Sequence, residues 1–487
     1  MSTDRVPSER VLAIDLGSSA VKAAIVDRSG VIGDVAAAPI ATSHPGPGRV
    51  EQHAADWWTS TLTAVGSLSA DERAAVSTVA VTGQMQDLLC LDADGEPLRP
   101  VVLYSDTRAA AEHDALVADF GDEWAAAVGA PPDATSVLSK WAWLEAHEPD
   151  LVARTDRVVV GGGAEAVRRL TGVVASDHAT AATTGLYELR ERRWWHPAIA
   201  RLGSRLPELD AHEPRPIRPE AADELGLSAD AVVVLAPGDA VAATVGVIGA
   251  EVGRSYASLG TSGWVAASTS APATETGLIV LPGLHADHWI AVGPVLALGS
   301  VIDWARTELL GGVGVAEFEA LAATGNGAAA GIVAVPHLSG TRDDPTARAA
   351  IVGLGASTAR ADIASALLEG TAQTLRQISE RLVATGHDHG GPVALCGGGA
   401  LSDAWCQTIA DVLGREIERT NDEHASLLGA AIVAGLDLTL GGGGAVIRPR
   451  PERSEAHRAL ADVFNRVDSA LRPVSRSLLE LVATHSP

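Results

Sequence analysis

Pro237-Gly238-Asp239, followed by the small-residue run Ala240 to Gly249 and then by Ser258-Leu259-Gly260-Thr261-Ser262-Gly263, decides how this chain is read. The apolar run Ala231 to Ala236 has the make-up of a short buried strand, and Pro-Gly cannot continue it. Asp239 is thereby carried at a strand end, at the head of a helix of small residues. A second strand, Ser255 to Leu259, runs into Gly-Thr-Ser-Gly. That turn has the composition of a phosphate cradle: glycines for close backbone approach, hydroxyls as extra donors. A carboxylate beside a phosphate cradle repels the ligand unless it takes a proton from the group that attacks the phosphate. Two readings of Asp239 therefore compete: a general base, or a helix N-cap, which is the commoner role for a lone Asp after Pro-Gly.

Composition narrows the field. A chain of 487 residues is too long for one core and implies two or three domains. No apolar run reaches the roughly 18–20 residues of a membrane span. Residues 1–10 are polar, lack the apolar core of a secretion signal and read as a frayed tail. Cys90, Cys396 and Cys406 are odd in number and have no metal-ligand spacing, which fits a reducing cytoplasm. The net charge is −25 and the only lysines are Lys22 and Lys140, which excludes a general nucleic-acid binder. An acidic chain that binds a nucleotide must rely on backbone N–H groups, helix N-termini and a divalent cation.

Outward from the opening stretch, the same pattern recurs near the N-terminus. Val11 to Ile14 and Ala23 to Val26 read as strands around Asp15-Leu-Gly-Ser-Ser-Ala-Val-Lys22, a hairpin that resembles the one at Ser258–Ala267. Two such hairpins suggest an internal duplication. Residues 38–56 read as a loop, and Ala54 to about Leu68 as a helix. Strands are read at 78–82, 88–92, 101–104, 158–160, 333–335 and 393–395. Helices are read at 140–147, 298–310, 362–384, 403–413, 424–435 and 455–471, with Gly441 to Gly444 as a flexible connection. Strands and helices interleave throughout, so the class is α/β.

At this point the residues resemble the FGGY family of carbohydrate kinases. The resemblance is carried by motifs in order: Asp15 to Lys22; Gly83-Gln84-Met85; Tyr104-Ser-Asp106-Thr-Arg108; Lys140-Trp-Ala-Trp-Leu with His147-Glu-Pro; Gly238-Asp239; Leu259-Gly-Thr-Ser-Gly263; Leu367-Leu-Glu-Gly370; and Gly397-Gly-Gly-Ala400 with Asp403. It covers roughly residues 10–440 and is nearest to the xylulokinase-like subgroup. It implies an actin-like ATPase (ribonuclease H-like) fold, with two duplicated α/β domains around a central cleft. The expected division is a tail at 1–10, a sugar-binding lobe at 11–245, a nucleotide-binding lobe at 246–440, and a linker with a helical segment at 441–487.

The resemblance implies a cytoplasmic, ATP-dependent kinase that phosphorylates a small ketose such as xylulose. Asp239 is then the base. Asp15 holds Mg2+ through water in the family's manner, its plainer role being a turn residue. Gly17, Ser18, Ser19, Gly260, Thr261 and Ser262 line the phosphates. Lys22 either reaches a phosphate or points to solvent. Gly398, Gly399, Ala400 and Asp403 resemble the nucleoside site, with a plain strand–helix turn as the alternative, and Gly299 and Asp303 border the nucleotide. Gln84, Met85, Gln86, Asp106 and Asp239 are the candidates for the sugar, because Asp and Gln at strand ends suit vicinal hydroxyls. Expected partners are the sugar or polyol and ATP, with no nucleic acid or membrane, and a homodimer as the assembly.

Two departures bear on the acceptor. The subgroup usually carries His after Gly-Gln-Met and Asn after the catalytic Asp; this chain has Gln86 and Ala240. The Ser339–Asp344 loop is also shorter than its family form. A polyol, an aldonate or another ketose is therefore the alternative acceptor, and Arg108 and Lys140 are the cations an aldonate would need. A non-catalytic sugar-binding sensor is the reading from a different class, and loss of Asp239 or Asp15 would have favoured it. Trp57, Trp58, Trp141, Trp143 and Trp264 divide between core and sugar stacking.

Overall fold

The computed structural model of the chain describes residues 10–129, 133–272, 278–341, 344, 346–420, 424–438 and 444–485. The chain folds as two units. The first comprises Met1–Ala250, Ser270–Ile290 and His424–Leu440; the second comprises Glu251–Thr269, Ala291–Glu423 and Gly441–Pro487. The strands that carry the argument are β1 (Arg10–Leu16), β2 (Ala20–Asp27), β3 (Gly30–Pro39), β4 (Thr78–Gly83) and β5 (Val232–Leu235) in the first unit. In the second they are β6 (Gly253–Leu259), β7 (Gly263–Thr269), β8 (Asp388–Cys396) and β9 (Ile417–Arg419). The helices used below are α1 (Val137–His147), α2 (Asp239–Ile248), α3 (Val315–Thr324), α4 (Arg360–Ala384), α5 (Asp403–Leu413), α6 (Ala425–Val433) and α7 (Pro451–His485).

The first sheet runs Arg215–Pro216, β5, β4, β1, β2, β3. β1 is antiparallel to β2 and parallel to β4, and β5 is parallel to β4. Five successive strands of the seven-stranded second sheet repeat this succession: Val446–Ile447, β9, β8, β6, β7. There β6 is antiparallel to β7 and parallel to β8, and β9 is parallel to β8. The duplication suggested by two similar hairpins is thus present in strand order and in strand direction. Covered on both faces, β1 reads as an unbroken apolar run rather than an alternating one, and Val11, Leu12, Ala13 and Ile14 are fully buried.

Several boundaries differ from the sequence reading. Arg10, assigned to the tail, already pairs with Asp27 in β1, and residues 1–9 lie outside the described residues. β3 was not read at all, and the loop assigned to 38–56 in fact begins after Pro39 and contains a short strand, Glu51–Gln52. β3 ends its sheet and carries Gly30, Gly33 and Asp34, the punctuating residues of an edge strand, which hide it from a pattern search. The helix expected over 298–310 is a short α-helix, Gly299–Trp304, that opens into a π-helical turn at Ala305–Leu309. The C-terminal helix, expected over 455–471, runs from Pro451, where a proline suits the first turn, through Pro473 to His485. Residues 441–443 of the glycine run, and 342, 343 and 345 near the shortened loop, lie outside the described residues.

One packing contact fixes the first unit's site. α2 and α6 touch backbone to backbone. A Cβ added at Gly246 would stand 1.9 Å from the Ala425 carbonyl oxygen, and one at Gly429 would stand 1.8 Å from that of Ala242. Only glycine permits this approach, and the neighbouring atom in each case is main chain, which cannot step aside.

Gly246→Ala and Gly429→Ala are each expected to lower stability by about 3 kcal/mol or more, as overpacking against backbone does. Gly66→Ala, at the end of the helix Ala54–Gly66 with open space around the added methyl, is expected to leave stability unchanged or slightly raised. Thermal melts of the three variants check this, and equal melting points would contradict it.

Candidate functional site

β5 ends at Leu235 and delivers Pro237-Gly238-Asp239 to the start of α2. Gly238, not Asp239, is the N-cap, and Asp239 is the first helical residue. Its Oδ1 accepts the Ala240 N–H at 2.7 Å rather than capping the first turn, so the N-cap reading is not realised. The turn is held from behind. Asp177 Oδ1 accepts the Gly238 N–H at 3.2 Å and the Thr180 N–H at 2.9 Å, and Thr82 donates its hydroxyl to the Pro237 carbonyl at 2.7 Å. Burial, then the neighbouring charge of Asp15 and, more weakly, that of Asp177, push the Asp239 carboxyl up to about 7, against the pull of the Ala240 N–H.

Asp15 closes β1 and stands opposite Lys22 on β2. Its Oδ2 accepts the Ser426 hydroxyl from α6 at 2.5 Å, while its buried Oδ1 has no hydrogen-bond partner. Burial raises its pKa; the Ser426 hydroxyl and Lys22 partly oppose that. Lys22 itself is exposed. The hairpin tip is pinned by Gln52, whose amide donates to the Ser18 carbonyl at 2.6 Å and to Thr42 at 2.8 Å. The Ser19 carbonyl accepts the Ile40 N–H, and the Gly17 N–H closes the turn onto Ala20.

The Gln84–Gln86 segment follows β4. Gln84 is buried, its amide meets Gln52 Oε1 at 3.3 Å, and its own Oε1 has no partner. The Met85 thioether lies against Gly238, where an added Cβ would meet Sδ at 2.2 Å. Gln86 adopts φ +66°, uncommon outside glycine; its amide donates to Thr135 Oγ1 at 2.9 Å and its carbonyl accepts Lys140 Nζ from α1 at 2.8 Å. Asp106 departs from its expected role. It is fully buried; Oδ1 accepts from Arg108 N and Nε, and Oδ2 from Val50 N and Arg108 Nη2. Four hydrogen bonds fill the lone-pair sites of a carboxylate, so Asp106 holds its loop and has none left for a hydroxyl.

The second unit carries its own cavity of about 680 Å³. Gly260, Thr261, Gly299, Asp303, Gly398, Gly399 and Asp403 all line it, as the sequence grouped them; Ser262 and Ala400 are not part of the lining. Close approach explains the glycines. A Cβ at Gly299 would stand 2.6 Å from the Gly260 carbonyl oxygen, and one at Gly399 2.5 Å from the Trp405 ring, whereas Gly398 faces open space. Asp303 pairs with Arg306 at 2.9 Å, and Asp403 with Arg419 at 2.6 Å. The opposite wall is α3, through Val315, Phe318 and Glu319, with Glu319 accepting the Ser402 hydroxyl.

Sequence reasoning missed the supports and one wall. Ser426 has no local signal, being 411 residues from Asp15. Asp177 and Thr82 announce themselves only as strand-end polar residues. α3 lies in a stretch of ordinary amphipathic helix. Asp87 was visible in the same motif as Gln86. It is buried, its Oδ1 accepts the Tyr104 N–H at 2.9 Å, and its Oδ2 is unpartnered.

Comparison with known proteins places these features in a family. The chain matches the N-terminal domain of the FGGY family of carbohydrate kinases over residues 10–246 and the C-terminal domain over residues 255–438. It is 31% identical over 446 residues to a xylulose kinase of Streptomyces rubiginosus, covering 88% of each chain. It is 30% identical over 436 residues to a xylulose kinase of Escherichia coli, covering 87% of this chain and 89% of that one. Among solved structures, a xylulose kinase from Rhodospirillum rubrum superposes with a TM-score of 0.89 at 26% identity, over 96% of this chain and 100% of that one.

The raised pKa of Asp239 has a consequence for stability. In the unfolded chain the carboxyl titrates near 3.8, in the folded chain near 7, so between these values folding favours the protonated form. Ionising Asp239 in the folded protein is unfavourable, and the loss grows as pH rises from about 4 to about 7 and is complete above. Asp239→Asn is therefore expected to raise the melting temperature at pH 8, with the gain shrinking as the pH is lowered toward 4. A gain that is the same at both pH values would contradict the assignment.

Proposed function

We propose that this chain, which belongs to the FGGY family of carbohydrate kinases and has its actin-like ATPase fold, transfers the γ-phosphoryl group of ATP to a hydroxyl of a small ketose such as xylulose, with Asp239 as general base. The observation that carries the acceptor site is a pair of buried acceptors with nothing to accept from: Asp15 Oδ1 and Gln84 Oε1. Buried polar atoms are ordinarily paired, so orphans beside a strand-end carboxylate mark where a ligand supplies the missing donors. A sugar hydroxyl suits Gln84 Oε1. A divalent cation suits Asp15, because Mg2+ takes one or two carboxylates and keeps several waters, and when bound it would neutralise phosphate charge.

The residues divide the work as follows. Asp239 accepts the proton of the attacking hydroxyl. With a pKa near neutrality it is ionised enough to do so and basic enough to make the transfer favourable. Asp177 and Thr82 hold the Gly238–Asp239 turn so that the carboxylate keeps one orientation. The hairpin Gly17-Ser18-Ser19, braced by Gln52, offers N–H and hydroxyl donors to phosphate. Within the second unit, Gly260, Thr261 and Ser262 are the corresponding candidates for phosphate contact. Gly398 and Gly399 present bare backbone to a purine whose other face meets the apolar side of α3, and Asp403 and Asp303 border the ribose. A neutral acceptor is favoured over an aldonate because acids crowd the base, Asp15, Asp177 and Asp87 among them; Arg108, paired with Asp106 and Glu51, keeps one buried donor, Nη1, without a partner. The expected setting is the cytoplasm and the expected assembly a homodimer, which light scattering would read.

ADP release from Mg-ATP across a panel of ketoses, polyols and sugar acids tests the reading. One or a few neutral acceptors are expected to respond, and Asp239→Ala to lower that rate by about 10²- to 10⁴-fold. Tight sugar binding without turnover would instead identify a sensor. Gly398→Ala is expected to raise the KM for ATP several-fold with an unchanged melting point, since the added Cβ stands at the cavity wall and meets no protein atom within 4 Å; an unchanged KM would move the nucleoside elsewhere.

A further inference from the structure

Asp87 is a buried acid that neither the fold nor the chemistry so far employs. It directly follows Gln84-Met85-Gln86 and is 1% exposed. Its Oδ1 accepts one N–H, from Tyr104, and its Oδ2 is buried without a partner. A carboxylate oxygen left this way is costly, and nothing in the packing needs it, since a neutral residue would cap Tyr104 as well. The backbone around it is held by Lys140, one of only two lysines in the chain, whose Nζ donates to the Gln86 carbonyl and whose side chain is 1% exposed. Lys140 and Asp87 form no direct ion pair among the described residues, yet each lies within electrostatic reach of the other, and Asp87 lies within reach of Asp239. Within electrostatic reach of Asp239 there is thus an unsatisfied acceptor with a compensating cation near it, whereas Asp106, the acid the motif would nominate, is saturated by Arg108 and Val50.

We propose that Asp87 is a specificity-determining residue: its Oδ2 accepts a hydrogen bond from one hydroxyl of the acceptor sugar, and Lys140 keeps the Gln86–Asp87 backbone in the conformation that presents it. This rests on the kinase reading and deepens it by naming the acceptor's chemistry. The acceptor carries a hydroxyl donor at this point and no negative charge there, because a carboxylate would face both Asp87 and Asp239. Burial of Asp87, opposed by the Lys140 charge, pushes its carboxyl up, which agrees with an acid buried to meet a ligand rather than to stabilise the fold.

The test is a cycle of one variant against a series of substrates. The best acceptor from the panel and each of its monodeoxy analogues are assayed with the wild-type protein and with Asp87→Asn, which keeps the cap on Tyr104. One analogue is expected to lose about 10- to 100-fold in kcat/KM with the wild type, as loss of a hydrogen bond to a charged group does. With the variant, that analogue is expected to lose no more than about threefold relative to the parent sugar, while the other analogues keep their wild-type penalties. If every analogue keeps its wild-type penalty in the variant, the assignment of Asp87 is overturned and the kinase reading stands. If the wild-type protein phosphorylates nothing, the kinase reading itself falls. Should Asp87→Asn leave Lys140 uncompensated and unfolded, the double variant Asp87→Asn/Lys140→Met removes both charges and is assayed in the same cycle, with the same outcomes.

Discussion

The first unit's chemistry depends on two helices meeting without side chains between them. Gly246 on α2 and Gly429 on α6 let the main chains touch, and this fixes where each helix begins. At the start of α2 stands Asp239; at the start of α6 stands Ser426, bonded to Asp15. The same contact thus sets the proposed base and steadies the acid proposed to carry the metal. α6 belongs in sequence to the C-terminal family domain, yet it folds into the first unit. Asp239 is consequently positioned by chain from both ends of the protein.

That arrangement gathers acids instead of separating them. Asp15 and Asp177 both act on Asp239, Asp239 acts on Asp87, and burial raises each. Such a cluster is unfavourable for folding and useful for catalysis, because it brings a carboxyl toward the pKa that proton transfer at neutral pH requires. Local rules broken at one place, with the rest of the fold consistent, are the mark of a functional site. Gln86, in a left-handed conformation that only a fixed backbone sustains, is a second instance in the same segment.

Much of this was legible in the sequence, for reasons that differ by residue. Hairpins with small tips, strand-end acids and Gly-rich turns are local features, so β1–β2, β6–β7, Asp15, Asp239 and the Gly398–Gly399 turn could be read directly. The duplication was legible because both copies kept the same hairpin. What could not be read was tertiary. Asp106 reads as a sugar ligand in the sequence, but Arg108 and Val50 occupy it, and no local feature singles out Asp87, whose second oxygen is unpaired. Ser426 and α3 lack any periodic or motif signal tying them to the residues they serve. β3 was missed because edge strands are built from residues that read as turns.

The central claim is that Asp239 is the base and is tuned toward neutrality by burial and by Asp15. The most direct measurement is the pH dependence of kcat/KM for the sugar at saturating Mg-ATP, from pH 5 to 9. The account predicts activity that falls on the acid side with a break well above the ordinary carboxylate value, toward the metal-free value of about 7, where Asp239 takes up its proton. A profile flat down to pH 5, or one breaking near the ordinary carboxylate value of about 4, would contradict it.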